Sequence, residues 1–244
     1  MHFEVRPEPG ITIRPDFEAI PLEDNLVYRA AILLQKHAKT SQGADIRLQK
    51  RLPMGGGVGG GSSNAATTLL ALNALWRLNY DRRKLADLGL QLGADVPVFV
   101  QGKSAWAEGV GEQITPLDLG ENWYVVLSPK CHVSTAQIFS HERLTRDTPK
   151  MKIAPALGVR DIENLNNDCQ SIVTELYPEI NRVISWLDQF GSGRLTGTGA
   201  CCFCRVDSEA KAQQVLNEAR SEFEGFIAKG VNLSPAIQRL NEVN

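Results

Sequence analysis

Pro53-Met54-Gly55-Gly56-Gly57-Val58-Gly59-Gly60-Gly61-Ser62-Ser63-Asn64-Ala65-Ala66 is the stretch on which the reading of this chain turns. Six of the seven residues from 55 to 61 are glycine. Without Cβ atoms, such a backbone reaches positive φ and lets a ligand come close. Successive exposed N–H groups form a concave nest for an anion. Ser62, Ser63 and Asn64 then stand at a helix start, where unpaired N–H groups and the positive end of the helix dipole favour phosphate. Lys50 and Arg51 lie just upstream, at the end of an alternating segment, Asp45-Ile46-Arg47-Leu48-Gln49-Lys50, that reads as a strand. Strand, glycine loop and helix N-terminus together make a polyphosphate cradle. A flexible linker is the alternative, but a linker does not run at once into a long apolar helix, expected here over residues 62–78. The loop lacks the Gly-Lys-Ser/Thr close of a Walker A sequence, and it is not the G-x-G-x-x-G of dinucleotide folds.

Working outward, Phe3, Val5, Ile11 and Ile13 suggest two short strands joined by the turn residues Pro7-Glu8-Pro9-Gly10. Asp24 or Asn25 caps a helix through Leu26, Ala30, Ala31, Leu33 and Leu34. Asp81 caps another, with Leu85, Leu88 and Leu92 on one face and Gly93 as its stop. Residues 96–100 and 104–107 read as a strand pair around Gly102, and 123–127 as an apolar strand. In the second half, helices are expected after Ser134, over 181–190 and after Ser208, with strands over 200–206 and 226–228. Strands and helices mix without a regular βαβ period, which points to an α+β fold. The length, 244 residues, allows one large or two small domains. A boundary near Ser128-Pro129 divides the chain into 1–128 and 129–244.

Composition excludes several classes. Apolar residues are 43% and charged residues 22%, ordinary globular usage rather than that of a disordered or fibrous chain. The formal charge of -2, from 26 basic and 28 acidic residues, leaves no global basic field for a nucleic acid. No apolar run is long enough to span a bilayer, and residues 1–7 do not have the pattern of a signal peptide. Five cysteines, three of them Cys201, Cys202 and Cys204, are a poor disulfide framework, so a reduced cytoplasmic setting is expected. On a strand, Cys202 and Cys204 face one way and Cys201 the other, so the three read as small buried hydrophobes rather than zinc ligands.

Asp95 follows a helix stop and precedes an apolar run, Val96-Pro97-Val98-Phe99. A carboxylate beside apolar walls is a candidate for proton transfer. Read alone, the plainer role is to cap the turn after Gly93. Gly197-Thr198-Gly199 is a second candidate ligand loop, or an ordinary turn into a strand.

The glycine loop resembles the ATP-binding motif of the GHMP kinases, the family of galactokinase, homoserine kinase and mevalonate kinase. Leu92-Gly93-Ala94-Asp95-Val96-Pro97-Val98-Phe99, Ala107-Glu108-Gly109-Val110-Gly111-Glu112 and Arg194-Leu195-Thr196-Gly197-Thr198-Gly199-Ala200-Cys201 strengthen the likeness, as do Glu23-Asp24-Asn25-Leu26 and the segment 228–235. Within the family they are most similar to the branch that phosphorylates a cytidine-diphosphate-linked methylerythritol in isoprenoid precursor synthesis. The resemblance implies a ribosomal-protein-S5-like N-terminal domain and a ferredoxin-like C-terminal domain, with ATP, Mg²⁺ and a small-molecule alcohol as ligands. It implies Asp95 as the catalytic aspartate. Asn25, Leu26 and Lys50 would lie on the adenine side, and residues 53–64 would hold the phosphates. Ala94, Thr135, Phe139, Gly197, Thr198 and Gly199 would lie near the acceptor. Phe139 could stack on a base or be a core residue at helical spacing. Metal ligands are not named, and monomer and homodimer both stay open.

Two family segments have no counterpart here: an opening Pro-Ala-Lys-(Ile/Leu)-Asn-Leu strand, whose lysine partners the aspartate, and a Gly-Tyr-His segment. The chain is therefore expected to begin several dozen residues into the usual fold, with an unpaired sheet edge. A nucleotide-binding form of impaired activity and another small-molecule kinase of the family are the competing readings.

Overall fold

Period-two alternation decides which strand faces are buried here, and the helices close over them. In the computed structural model of the chain, residues 1–15, 20–149 and 165–243 are described. The chain forms two compact units: Met1–Arg51, Gly59–Asp118 and Asn232–Asn244 make the first, Leu52–Val58 and Leu119–Val231 the second.

The first unit opens with β1 (His2–Arg6) and β2 (Ile11–Pro15), then α1 (Leu26–Ala38) and β3 (Gly43–Leu48). The strands do not form a hairpin. β3 lies between them, antiparallel to β1 with Phe3 opposite Ile46, and parallel to β2 with Ile13 opposite Ile46. A single apolar file therefore crosses the sheet at Ile46, which is fully buried. Among the described residues β1 and β2 are both edge strands of this sheet. Of the two candidate caps for α1, Asn25 is the one used, its Oδ1 accepting the Val27 N–H at 3.0 Å. α2 (Gly60–Leu75) starts two residues earlier than expected and buries Ala65, Ala66, Leu69, Leu70 and Leu72. α3 (Arg82–Leu90) is capped by Asp81 as expected, with Leu85 and Leu88 buried.

Residues 96–101 are a helix, α4 (Val96–Gln101), and not the expected strand. A short apolar run has no decisive period, and two punctuating residues tip it. Pro97 lacks the N–H that the first helical turn leaves unused, and Gly102, at φ 66°, supplies the left-handed C-cap. β4 (Ala105–Glu108) follows and pairs with β5 (Gln113–Pro116), a hairpin partner the sequence reading missed.

The second unit is a four-stranded antiparallel sheet with one helical layer. Its elements are β6 (Trp123–Ser128), α5 (Thr135–Ser140), α6 (Gln170–Leu176), α7 (Pro178–Leu187), β7 (Arg194–Leu195), β8 (Cys202–Val206), α8 (Glu209–Ala219) and β9 (Glu224–Lys229). The order β7-β8-β6-β9 is that of a ferredoxin-like split βαβ sheet. Val125, Leu127, Leu195, Cys202, Cys204 and Val206 pack against Ile172, Ile180, Val183, Leu187, Val215 and Leu216 of the helices. Burial pushes the Cys202 thiol up to about 12 and the Cys204 thiol up to about 11, so both stay protonated and act as small hydrophobes.

The division expected at 128/129 moves to between Asp118 and Leu119. The cause is hydrogen bonding: β6 is an inner strand, paired on one side with β8 and on the other with β9. The chain then returns to the first unit as α9 (Pro235–Val243), a helix the sequence reading missed. Ser104 N–H bonds the Asn232 carbonyl at 3.2 Å, Ser234 N–H bonds the Gly102 carbonyl at 2.8 Å, and Ile237 is buried.

Candidate active site

The two parts of the glycine-rich stretch have different neighbours. In the second unit, the Gly56 carbonyl accepts the Cys201 N–H at 3.1 Å and the Thr196 hydroxyl at 2.9 Å. Gly57 has φ 72°, and a Cβ there would stand 2.5 Å from the Thr196 carbonyl oxygen and 2.8 Å from that of Gly199. Only glycine tolerates both the angle and the approach. Gly55, at φ 70°, faces the His132 ring. Pro53 and Val58 are half-buried, and Met54 is exposed.

The turn against which this segment rests is the second candidate loop. Gly197 and Gly199 take φ 50° and 94°, and the Gly199 N–H bonds the Thr196 carbonyl at 2.7 Å. Thr198 is buried, its hydroxyl 2.8 Å from that of Thr135. Thr135 and Thr198, 63 residues apart, are thus brought together. Ser134 caps α5, and Phe139 sits one turn beyond Thr135. Phe139 is 57% exposed, whereas its neighbour Ile138 is fully buried. Phe139 is therefore a surface ring and not a core residue.

In the first unit, Gly59 is the N-cap of α2 at φ 68°, and a Cβ on it would meet the Phe99 ring at 2.8 Å. Gly60 and Gly61 open the helix, followed by Ser62, Ser63 and Asn64, all half-buried. No side chain caps this terminus and its first turn carries no acid. The intrahelical ladder starts at Ser63 N–H to the Gly59 carbonyl, 2.9 Å. The N–H groups of the preceding turn thus have no intrahelical acceptor and face what an anion would supply. Leu26 touches this end, its Cδ1 lying 3.2 Å from where a Gly61 Cβ would be. Asn25 is buried and spends its oxygen on the α1 cap. Lys50 is half-buried just after β3, and burial lowers its ammonium from the usual value.

Asp95 immediately precedes α4, and Ala94 and Asp95 are both exposed. The Asp95 carboxylate makes no capping bond, so the capping role is not taken. The β4–β5 turn closes beside it: Gly111, at φ 112°, brings its Cα so near that a Cβ would lie 2.4 Å from the Ala94 carbonyl oxygen. Glu112 holds this turn by accepting the Val110 N–H at 2.7 Å. Backbone N–H groups of Glu112 and Val110 hold its carboxyl below the usual carboxylate range.

Sequence reasoning missed Thr196 and Asn167. The Asn167 amide donates to the Leu195 carbonyl at 3.2 Å and the Gly197 carbonyl at 2.7 Å. Its place in a polar run, Asn166-Asn167-Asp168, reads only as a loop. A cavity of about 440 Å³ lined by Tyr124, Phe190, Phe203 and Lys211 also lies in the second unit, and no predicted site residue lines it.

Residues 25–103 match the model of the GHMP kinases N terminal domain, and residues 153–225 that of the GHMP kinases C terminal region. The chain belongs to the GHMP kinase family. As a GHMP kinase it is 50% identical, over 99% of its length and 84% of the relative's, to 4-diphosphocytidyl-2-C-methyl-D-erythritol kinase of Hahella chejuensis. It is 53% identical over the same shares to the enzyme of that name from Marinobacter nauticus. A crystal structure of 4-(cytidine 5'-diphospho)-2C-methyl-D-erythritol kinase superimposes with a TM-score of 0.77 at 30% identity, covering 93% of this chain and 84% of that one. Homoserine kinase from Cytophaga hutchinsonii, at TM-score 0.65 and 15% identity over 96% of this chain and 86% of that one, shares the GHMP kinase fold.

Proposed function

We propose that this chain transfers the γ-phosphoryl group of ATP to a hydroxyl of 4-diphosphocytidyl-2-C-methyl-D-erythritol, a step of isoprenoid precursor synthesis. The observation that carries this reading is the shared substrate name of relatives about half identical to the chain over nearly all of it. The local chemistry supports it. Phosphoryl transfer asks a protein mainly for positioning and electrostatic stabilisation. The glycine loop and the uncapped α2 terminus suit phosphates, through backbone N–H groups that need no side chain.

Asp95 is assigned the proton of the attacking hydroxyl. Its carboxylate makes no helix-capping bond that the task would have to break. Residues 53–64 are assigned to the phosphates, with Asn25, Leu26 and Lys50 on the nucleotide's base side. Ala94, Thr135, Phe139, Gly197, Thr198 and Gly199 are assigned to the acceptor, and the exposed Phe139 ring suits stacking on a base. Mg²⁺ accompanies ATP in this reading and neutralises phosphate charge. An ion carried by phosphates needs only one or two protein oxygens, and the described residues gather no cluster of three His, Cys, Asp or Glu. The five cysteines form no disulfide, which suits the reducing cytoplasm.

The test is mass spectrometry after incubation with Mg·ATP and 4-diphosphocytidyl-2-C-methyl-D-erythritol. A product one phosphoryl group heavier is expected. Phosphorylation of homoserine or mevalonate instead would move the assignment to another GHMP kinase. ATP binding with no phosphorylated product would leave a nucleotide-binding protein.

A further inference from the structure

Six hydrogen bonds from other segments converge on one short turn of the second unit, residues 195–201. From one side, the Thr196 hydroxyl and the Cys201 N–H hold the Gly56 carbonyl at 2.9 and 3.1 Å. From another, the Thr198 hydroxyl meets that of Thr135 at 2.8 Å. From beneath, the Asn167 amide donates to the Leu195 and Gly197 carbonyls. Asn167 is itself fixed, because its Oδ1 accepts the Cys169 N–H at 3.0 Å where the chain enters α6. Gln170, one turn on, accepts the Leu195 N–H at 2.9 Å.

We infer that Asn167 is a positioning residue for the acceptor. The inference rests on the kinase reading above. The turn it grips contains two glycines at positive φ, at 197 and 199, so its own backbone resists rearrangement weakly. The grip falls on the residues either side of Thr196 and next to Thr198, and Thr198 has the Thr135 hydroxyl as its partner. The Gly56 end keeps a second tie that Asn167 does not touch, the Cys201 N–H, so the larger effect is expected at the Thr198–Thr135 pair. The amide is matched to the task. Two carbonyls need two N–H donors on one atom, and a backbone N–H needs an acceptor on the other; Asn supplies both and Asp does not. In Asn167→Asp a carboxylate oxygen would face the Gly197 carbonyl oxygen in place of a donor.

The experiment compares steady-state kinetics of wild type, Asn167→Ala, Asn167→Asp and Val215→Ala. Val215 is fully buried in the core of the same unit and forms none of the turn's hydrogen bonds, so it reports plain destabilisation. Asn167→Ala is expected to raise KM for 4-diphosphocytidyl-2-C-methyl-D-erythritol about tenfold, with KM for ATP and kcat each changed less than threefold. Asn167→Asp is expected to be worse than Asn167→Ala, with the loss again in the acceptor's KM. Equal kinetics for Asn167→Ala and Val215→Ala at matched loss of Tm would overturn the inference, as would Asn167→Asp behaving like wild type. If wild type binds the acceptor without turning it over, the same tenfold loss is read in the acceptor's dissociation constant by calorimetry. A wild type that does not bind the acceptor overturns both the kinase reading and this one. A wild type that turns it over with Asn167 indifferent overturns this one alone.

Discussion

The 53–58 segment and the stretch around Asp95 are built in opposite ways. In the first, the Gly56 carbonyl takes two donors, Gly57 is pressed against two carbonyls, and the facing turn is pinned by Thr135 and Asn167. In the second, an exposed carboxylate stands at a helix start without using it. The difference separates two kinds of group. Those saturated with protein partners hold the backbone's shape, and those left with unspent bonding capacity are the ones the proposed function gives to ligands. The start of α2 belongs with the second kind, since its first N–H groups lack intrahelical acceptors.

Substitutions test this contrast, because the two regions should fail differently. Asp95→Asn should lose activity and keep the fold. The expected fall in kcat is about 10²–10⁴-fold, the usual worth of a general base, with Tm within a degree or two of wild type. A normal kcat would remove Asp95 from the proton-transfer role, and a large drop in Tm would show that the carboxylate is structural. Gly57→Ala should do the reverse and lose stability first. A positive φ and a 2.5 Å approach to the Thr196 carbonyl together should cost about 2–5 kcal/mol, combining backbone strain and overpacking. Urea unfolding measures it, and an unchanged midpoint would mean the segment moves aside at little cost.

A smaller effect sharpens the picture of the second unit's core. Unfolding frees the Cys202 and Cys204 thiols to ionise near pH 9, whereas in the folded protein they ionise only at about 12 and about 11. Their folded values are raised, so the stability they contribute is complete below pH 9 and is lost as pH rises towards those values. The slope is about 1.4 kcal/mol per pH unit for each thiol. Cys202→Ala should flatten the alkaline limb of stability against pH, and an unchanged slope would contradict the assignment. The smallest effect is expected from Gly61→Ala, in the same glycine run as Gly57. That residue is helical and its new methyl meets only the flexible end of Leu26, at 3.2 Å. Helix propensity favours alanine by about 1 kcal/mol, so the net change should stay within about 1 kcal/mol of zero. A loss as large as that of Gly57→Ala would erase the distinction between the two parts of the loop.

Much of the fold was legible locally. Asn25, Asp81, Ser134 and Ser208 each accept the backbone N–H that a capping residue should. The shared direction of Cys202 and Cys204 marked the buried face of the second sheet, whereas residues 123–127, apolar throughout, marked a strand but not its face. Residues 96–101 were not legible in this way. Five consecutive apolar or proline residues carry no period, and their helix rests on Pro97 and Gly102 together with the burial of Val96 and Val100. α9 was missed although Ser234-Pro235 is a fair helix start, because few apolar residues mark its buried side.

By itself, the sequence determined the glycine loop, its following helix, the capped helices and the α+β class, because those follow from residue type and spacing over a few positions. Tertiary structure alone decided that Thr135 meets Thr198, that Gly56 is held by Thr196 and Cys201, that Asn167 grips the turn between them, and that the chain returns after Asn232 to the first unit. The physical reason is the range of the forces involved. Helix and strand preferences act between near neighbours in the chain, whereas these contacts join residues 28 to 145 positions apart, and only the packed core brings their hydrogen-bonding groups within reach.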